Sequence, residues 1–141
     1  MPSYRSIGLM SGTSMDGVDV ALIETDGDAA VAFGPTGHYP YNDADRALLR
    51  NALAEAATLE DRDARPGVLA FAERMVTDRH AEAVETLIGE NAIDPGSVNI
   101  VGFHGQTVLH RPKQGLTIQI GDGPALAARL GLDVAYDFRA A

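Results

Sequence analysis

The sequence contains no cysteine among its 141 residues. This absence excludes disulfide bonds, catalysis by a thiolate and any zinc or iron–sulfur site built on cysteine. Basic residues are also scarce, since 11 Lys and Arg stand against 20 Asp and Glu and leave a formal net charge of −9. The phosphates of nucleic acids and anionic membranes attract basic surfaces. The acidic net charge therefore disfavours binding to either of them. An acidic protein can still bind a nucleotide through a few local amides and a metal ion.

Long apolar runs are missing as well. No stretch approaches the roughly 20 apolar residues that span a bilayer, and the beginning of the chain lacks the basic region and apolar core of a signal peptide. We therefore expect a cytoplasmic protein. A hydrophobic fraction of 45% is typical of a globular chain, and 141 residues is the size of one ordinary domain with a buried core.

The stretch from Ile7 to Ile23 is the most informative part of the chain. An apolar run breaks into residues rich in Gly, Ser and Asp and then resumes, which predicts a strand, a tight turn and a second strand. Glycines and hydroxyls at such a turn can present backbone amides to an anion. Asp16 and Asp19 would repel a bare phosphate but suit one that arrives with a divalent metal. From these residues alone, an ordinary hairpin loop and a loop for nucleotide phosphate with magnesium are equally good interpretations.

Periodicity predicts the elements of the first two thirds of the chain. A third strand around Val31 completes an antiparallel three-strand meander and is interrupted at residues 34–37. Apolar residues at helical spacing predict an amphipathic helix capped by Asn42. They also predict a second, long helix that begins at Pro66 and ends at Gly89. Its predicted buried stripe consists of Leu69, Ala72, Val76, Ala83 and Leu87.

A buried strand carries the polar motif of the last third. Residues 98–103 are almost all apolar, which suits a central parallel strand covered on both faces. His104 and Gln106 follow at its carboxyl end, where the ligands of open α/β sheets gather. Two short strands and a short helix complete the pattern, at residues 117–120, 132–136 and 125–130.

Three parts of this sequence closely resemble the anhydro-N-acetylmuramic acid kinases. The first hairpin matches their G-x-M-S-G-T-S-x-D-G-x-D signature at every fixed position, from Gly8 to Asp19. Their H-G-Q-T and Q-I-G-D blocks follow in order at residues 104–107 and 119–122, and the ending Asp137-Phe138-Arg139 also matches. The resemblance implies an α/β fold, namely an RNase H-like lobe of the sugar kinase, actin and heat-shock ATPase superfamily. Such a lobe combines a three-strand antiparallel meander with parallel strands and helices.

The resemblance also implies that the first hairpin binds the phosphates of ATP together with Mg²⁺. Backbone amides and the hydroxyls of Thr13 and Ser14 would face phosphate oxygens. Asp16 or Asp19 would order a water on the magnesium ion, so both carboxylates are indirect metal ligands in this hypothesis. The implied phosphate-binding residues are Gly12, Thr13, Ser14, Met15, Asp16, Gly17, Val18 and Asp19.

Four residues are candidates for contacts with a sugar substrate. His104 and Gln106 have imidazole and amide edges that donate and accept hydrogen bonds in fixed directions, although His104 could equally bond a neighbouring loop. Asp122 could bind a sugar hydroxyl or cap the helix that follows it. Arg139 could pair with the lactyl carboxylate of a muramic acid, whereas a surface ion pair is its more ordinary role.

The resembled enzymes open the 1,6-anhydro ring of N-acetylmuramic acid with water and phosphorylate its O6 with ATP, which gives N-acetylmuramic acid 6-phosphate. Their catalytic aspartate lies in a later D-T-G-P-G-N-like motif and their adenosine pocket in a second lobe, and neither motif occurs before Ala141. The resemblance thus implies a catalytic aspartate beyond Ala141, and we assign no catalytic residue within residues 1–141.

We therefore expect residues 1–141 to be the amino-terminal lobe of a two-lobed kinase that needs its second lobe in cis or in trans. Full-length members are implied to be homodimers. The alternative is a non-catalytic sugar- or protein-binding module with the same fold.

Overall fold

The structure, a computed structural model, describes residues 3–12 and 14–138. The candidate site residues Thr13 and Arg139 lie outside the described part, and so does Ala141, beyond which the catalytic aspartate is expected. Seven strands and three α-helices make up the described residues. In chain order they are β1 (Tyr4–Met10), β2 (Gly17–Thr25), β3 (Val31–Pro40), α1 (Asp43–Ala56), α2 (Leu69–Glu90), β4 (Ile100–Phe103), β5 (Gln106–Arg111), β6 (Leu116–Ile120), α3 (Gly123–Leu130) and β7 (Val134–Tyr136).

Five of the strands form one mixed sheet in the order β3-β2-β1-β4-β7. The first three strands of the chain pair antiparallel, whereas β4 runs parallel to both β1 and β7. The predicted meander and the predicted central parallel strand are therefore confirmed. The fold is of the mixed α/β class, as the sequence pattern indicated.

The hydrophobic core lies between this sheet and the helices. Alternate residues of β1 and β2 point inward and are buried, because successive side chains of a strand face opposite sides of the sheet. The apolar stripe predicted for α2 covers them, and every residue predicted for that stripe is buried: Leu69, Ala72, Val76, Ala83 and Leu87. Although α2 has 22 residues, no helix in the described ranges is long and apolar enough to cross a membrane.

The predicted cap of α1 is confirmed. Asn42 accepts a hydrogen bond from the backbone N–H of Asp45 at 2.7 Å, and the Asp45 carboxylate accepts the Asn42 N–H at 3.4 Å. This reciprocal pair satisfies two backbone donors that a helix start leaves without partners. The buried Asp45 carboxylate also pairs with Arg79 Nε of α2 at 2.8 Å, and thus joins the two helices.

The predicted bounds of α2 are wrong at both ends. Pro66 lies in a turn before the helix, because Gly67 adopts a left-handed φ of +57° that a helix cannot continue through. At the other end the helix runs through Gly89 to Glu90. Asn91 ends it instead, since its backbone N–H and its side-chain amide both donate to the carbonyl of Leu87.

Two further expectations about strands are corrected. The interruption of β3 at residues 34–37 is confirmed only in part: the strand continues to Pro40, but its register against β2 shifts at residues 34 and 35, between the pairs Ile23–Phe33 and Ala21–Thr36. β3 is an edge strand, where a proline without an N–H costs no ladder bond. Residues 106–111, to which no strand was assigned, form β5, which pairs antiparallel with β6 in a separate two-stranded sheet. Gly105, with φ +76°, turns the chain from β4 directly into β5.

Candidate functional site

Two chain connections and the carboxyl end of β7 meet at one edge of the main sheet. Since β1, β4 and β7 are parallel, their carboxyl ends lie side by side, with Leu9 paired to Phe103 and Phe103 to Tyr136. The connection after β1 is the predicted phosphate hairpin, and the connection after β4 begins with His104. Ligands of α/β sheets bind at this edge, so the topology brings the sequence motifs together where a site is expected.

The described residues of the connection from Ser11 to Asp16, which we call the hairpin turn, present polar groups to solvent. Gly12, Ser14 and Asp16 are exposed, and the N–H of Met15 donates to the Gly12 carbonyl at 3.1 Å. Met15 itself has a left-handed φ of 56°. These features are those of a tight turn whose outer surface is open to a ligand.

The remaining predicted phosphate residues lie in β2 and differ in burial. Gly17 and Val18 are buried, so Val18 can offer a ligand only its backbone. The side chain of Asp19 lies on the exposed face of the sheet, opposite the buried side chain of Val18. Its carboxylate is 2.7 Å from Nδ1 of His38 on β3. In the described part of the chain, no group of three or more His, Asp or Glu residues is placed to hold a metal ion.

A buried polar cluster of Ser11, Tyr41 and Gln106 lies beneath the hairpin turn. The Ser11 hydroxyl donates to the Gln106 carbonyl and is 2.9 Å from the Tyr41 hydroxyl. Burial raises the pKa of Tyr41, so this hydroxyl stays protonated at neutral pH. Gln106, a predicted sugar contact, is therefore 1% exposed and bonded to the hairpin turn. Sequence reasoning missed Tyr41 and Ser11, because nothing local in the sequence relates them to residue 106.

His104 lines a small cavity of about 130 Å³ at the carboxyl edge of β4. Its ring lies 3.2 to 3.3 Å from the side-chain amide of Gln119, which also donates to the Thr107 hydroxyl at 3.2 Å. The H-G-Q-T and Q-I-G-D motifs thus meet here across paired strands. The cavity is lined by Arg62, Asp63, Arg65, Phe103, His104, Gly105, Gln119, Ile120, Gly121, Tyr136 and Asp137.

Side chains of α2 fix the turn that follows β6. Glu73 accepts hydrogen bonds from Arg65 Nε at 2.9 Å and from the N–H of Gly121 at 3.1 Å. Thr77 accepts the N–H of Asp122 at 2.9 Å. The Asp122 carboxylate caps α3 by accepting the N–H of Ala125 at 3.0 Å, which is the second of the two roles considered for it. Asp122 is not among the residues that line the His104 cavity.

A buried histidine, His80, packs against Phe103, one of the residues that line this cavity. Phe103 contacts His80 of α2 edge to face, with ring centroids 4.9 Å apart. His80 Nδ1 lies 2.6 Å from the Val76 carbonyl, whereas its Nε2 is buried without a hydrogen-bond partner. Burial lowers the pKa of His80 to about 4, so the ring is neutral at neutral pH. The only sequence signal for it was its position in the apolar stripe of α2.

Fold and site together define a class of protein. A five-stranded mixed sheet with three helices, and a glycine- and hydroxyl-rich turn at the carboxyl edge of the sheet, are compatible with one lobe of an α/β kinase.

Comparison with known proteins identifies the family. Residues 4–141 match the family model of anhydro-N-acetylmuramic acid kinase, and the chain belongs to that family. It is 64% identical to the anhydro-N-acetylmuramic acid kinase of Rhodopseudomonas palustris and 62% identical to that of Bradyrhizobium diazoefficiens, in each case over 96% of this chain. The chain spans 37% of the length of these two relatives.

The match to the family model runs to Ala141, the last residue of the sequence. The position of the catalytic aspartate beyond Ala141 stays a prediction.

Proposed function

We propose that this chain is the amino-terminal, RNase H-like lobe of a two-lobed kinase that phosphorylates 1,6-anhydro-N-acetylmuramic acid with ATP and Mg²⁺. The names of its relatives support the activity, and the 37% share of their length supports a longer polypeptide with a second lobe. The strand order β3-β2-β1-β4-β7, with its antiparallel and parallel halves, supports the RNase H-like assignment.

In this proposal the hairpin turn binds the ATP phosphates. Gly12, Ser14 and Asp16 are exposed on its outer surface, and the match of the G-x-M-S-G-T-S-x-D-G-x-D signature extends this role to Thr13. No set of three carboxylates or imidazoles in the described ranges can hold a metal unaided. Magnesium would therefore bind mainly to phosphate and water oxygens, with Asp16 and Asp19 as acceptors for its waters.

The sugar would lie at the His104 cavity, next to the turn. The amide of Gln106, two residues beyond His104, donates to the Gly12 carbonyl at 3.3 Å, so the short segment 104–106 joins the cavity to the hairpin turn. This adjacency is the observation that carries the proposal, since phosphoryl transfer requires the γ-phosphate and the acceptor oxygen in line and in contact. Arg139 stays a predicted contact for the lactyl carboxylate.

In the proposed reaction two bonds form, from the water oxygen to the anomeric carbon and from O6 to the γ-phosphorus. Two bonds break, between the anomeric carbon and O6 and between the γ-phosphorus and ADP. Water attacks the anomeric carbon and breaks its bond to O6, while O6 takes the γ-phosphoryl group and ADP leaves. A base must remove the proton of the attacking water. In this proposal that base is the aspartate of the second lobe, beyond Ala141, so the present residues bind and orient the substrates.

The test uses the complete kinase, meaning these residues in their full-length polypeptide or in place of the matching segment of the R. palustris relative. With MgATP and the anhydro sugar, we expect one 6-phosphorylated product per ADP. Thr13→Val and Asp16→Asn should each lower kcat/KM for MgATP at least roughly tenfold, the scale of one charge-assisted contact.

Asp28→Asn is the matched control, because Asp28 is exposed in the hairpin at the opposite end of β2. It should leave the kinetics unchanged. If the complete kinase binds the sugar but never consumes ATP, the proposal is wrong and the non-catalytic binding module is the better account.

A further inference from the structure

The polar cluster under the hairpin turn is unusually well buried for uncharged polar side chains. Ser11, Tyr41 and Gln106 are 5%, 2% and 1% exposed, respectively. They come from three separate parts of the chain: the end of β1, the link between β3 and α1, and the first residue of β5. Because a buried polar group without a partner destabilises the fold, each must be satisfied within the cluster.

The directions of the hydrogen bonds follow from the proton count. Ser11 donates its single hydroxyl proton to the Gln106 carbonyl, so the Tyr41 hydroxyl must donate to the Ser11 oxygen. The Gln106 amide then donates to the carbonyls of Gly12 and Thr107, both at 3.3 Å. Both polar atoms of the Gln106 side chain are engaged inside the protein.

The same residues hold both ends of the hairpin turn. Gln106 bonds Ser11 and Gly12 at its beginning, while the backbone N–H of Tyr41 donates to the Asp16 carbonyl at 2.9 Å at its end. The turn is thereby anchored on its inner side, and the exposed groups of Gly12, Ser14 and Asp16 remain on the outer side.

We propose that Gln106 and Tyr41 are positioning residues that preorganise the hairpin turn for the ATP phosphates, and that Gln106 acts on nucleotide rather than on sugar. The inference rests on the proposed role of the turn in phosphate binding. A turn fixed in advance loses less conformational freedom when the ligand binds, so releasing it weakens affinity without removing any direct contact. This assigns Gln106 a role different from the sugar contact that the sequence predicted.

Two substitutions in the complete kinase test the positioning role. Tyr41→Phe removes one hydroxyl, and Gln106→Met keeps the length of the side chain but removes both polar atoms. We expect the KM for MgATP to rise about fivefold for Tyr41→Phe and about 25-fold for Gln106→Met, as expected for one and two lost hydrogen bonds. The KM for the anhydro sugar should stay within about twofold.

Two controls separate positioning from general destabilisation. Tyr39→Phe removes a hydroxyl two residues away that makes no bond to the hairpin turn in the described contacts, and should leave both KM values unchanged. In a Ser11→Ala background Tyr41→Phe should have little further effect on the KM for MgATP, because its acceptor is already gone. If Gln106→Met does not fold, this cycle at Tyr41 decides the question.

The contrary outcomes are distinct. A raised KM for sugar with an unchanged KM for MgATP would show that Gln106 contacts the sugar. A lower unfolding temperature with both KM values unchanged would show that the cluster only stabilises the fold. If the unmodified kinase binds MgATP without phosphorylating the sugar, the proposed function fails, and titration of the variants with MgATP still decides on positioning. If it does not bind MgATP at all, both proposals are wrong.

Discussion

At the scale of single residues, His80 couples the stability of the protein to pH. Its pKa is about 4 in the folded protein and about 6.5 in an unfolded chain. Between these two pKa values, His80 is protonated in the unfolded state and neutral in the folded state. The unfolding free energy therefore falls as the pH falls from about 6.5 towards 4. We expect a loss of about 2 kcal/mol in unfolding free energy between pH 7.5 and pH 5 from this residue.

Urea unfolding of the complete kinase and of its His80→Leu variant at both pH values measures this loss. The carboxylates are the same in both proteins. The difference between the two proteins in how much the unfolding free energy changes with pH therefore isolates the contribution of His80. Equal slopes would mean that His80 is accessible to protons in the folded state. Glu85→Gln is the control, since Glu85 lies on the same helix but is half exposed and pairs with Arg129. This variant should keep the pH dependence that His80 gives to the unfolding free energy.

Gln106 shows what the sequence could and could not predict about the site. Its place after an apolar run correctly put it at the carboxyl end of a parallel strand. Its contact with the hairpin turn was not predicted and appears only in the structure. The direction of its side chain depends on Ser11, 95 residues earlier, and on Tyr41. A contact of that separation leaves no local pattern, so the sequence could not distinguish an amide that faces a ligand from one that faces the protein.

At the scale of elements, the Asp45–Arg79 pair joins α1 to α2 beneath the link that carries Tyr41. Asp45 is 7% exposed and also completes the helix cap, whereas Arg79 is one-third exposed and has a second partner in Glu82. We expect Asp45→Ala to lower the unfolding free energy by about 2 kcal/mol, since it removes the carboxylate half of the capping pair and the buried charge. Chemical denaturation measures this value.

Asp43→Ala is the matched control for this prediction. Asp43 lies in the same first helical turn, is exposed, and has only a favourable interaction with the helix dipole. It should cost about 0.5 kcal/mol. Equal losses for the two variants would show that the ion pair between the helices contributes nothing.

Gly105 tests the connection between the two sheets. A Cβ at this position would lie 2.5 Å from the carbonyl oxygen of Ile120, and its φ of +76° is already unfavourable for other residues. We therefore expect Gly105→Ala to lose at least about 3 kcal/mol of unfolding free energy.

Gly115→Ala separates the effect of the unfavourable φ angle from the effect of the steric contact with Ile120. Gly115 has a similar φ of +65° but open space around the added methyl group, so it should lose only about 1 kcal/mol. Similar losses at both positions in denaturation experiments would mean that the approach of Ile120 imposes no steric limit.

The elements that the sequence predicted well are those with a strong local period. The stripe of α2 and the alternation in β1 and β2 repeat over several turns or residues, and both are confirmed. The helix ends were wrong because Gly67 and Asn91, rather than Pro66 and Gly89, set them through backbone angles and capping bonds. β5 was missed since its polar first residues, Gln106 and Thr107, resemble a loop until their partners in β6 are known.

At the scale of the whole molecule, we expect the 141-residue chain to be inactive without the rest of the kinase. The hairpin turn and the His104 cavity lie at one edge of its sheet, and we propose that the base and the adenosine pocket belong to a second lobe. Calorimetry with MgATP and with the anhydro sugar, beside an assay for the 6-phosphate, checks this against the complete kinase. Product formed by the short chain would show that one lobe suffices.

The bond between Gln106 and the hairpin turn has a consequence for synthesis on the ribosome. β1 and β2 leave the ribosome before Tyr41 and Gln106 and can pair locally, yet these two residues, which anchor the turn, follow Ser11 by 30 and 95 positions. The nascent chain must therefore close a long loop before this turn acquires its final shape, and such closures are slow steps. In the proposed function, the nucleotide-binding shape of the turn would therefore form only after residue 106 has left the ribosome, 95 residues after Ser11.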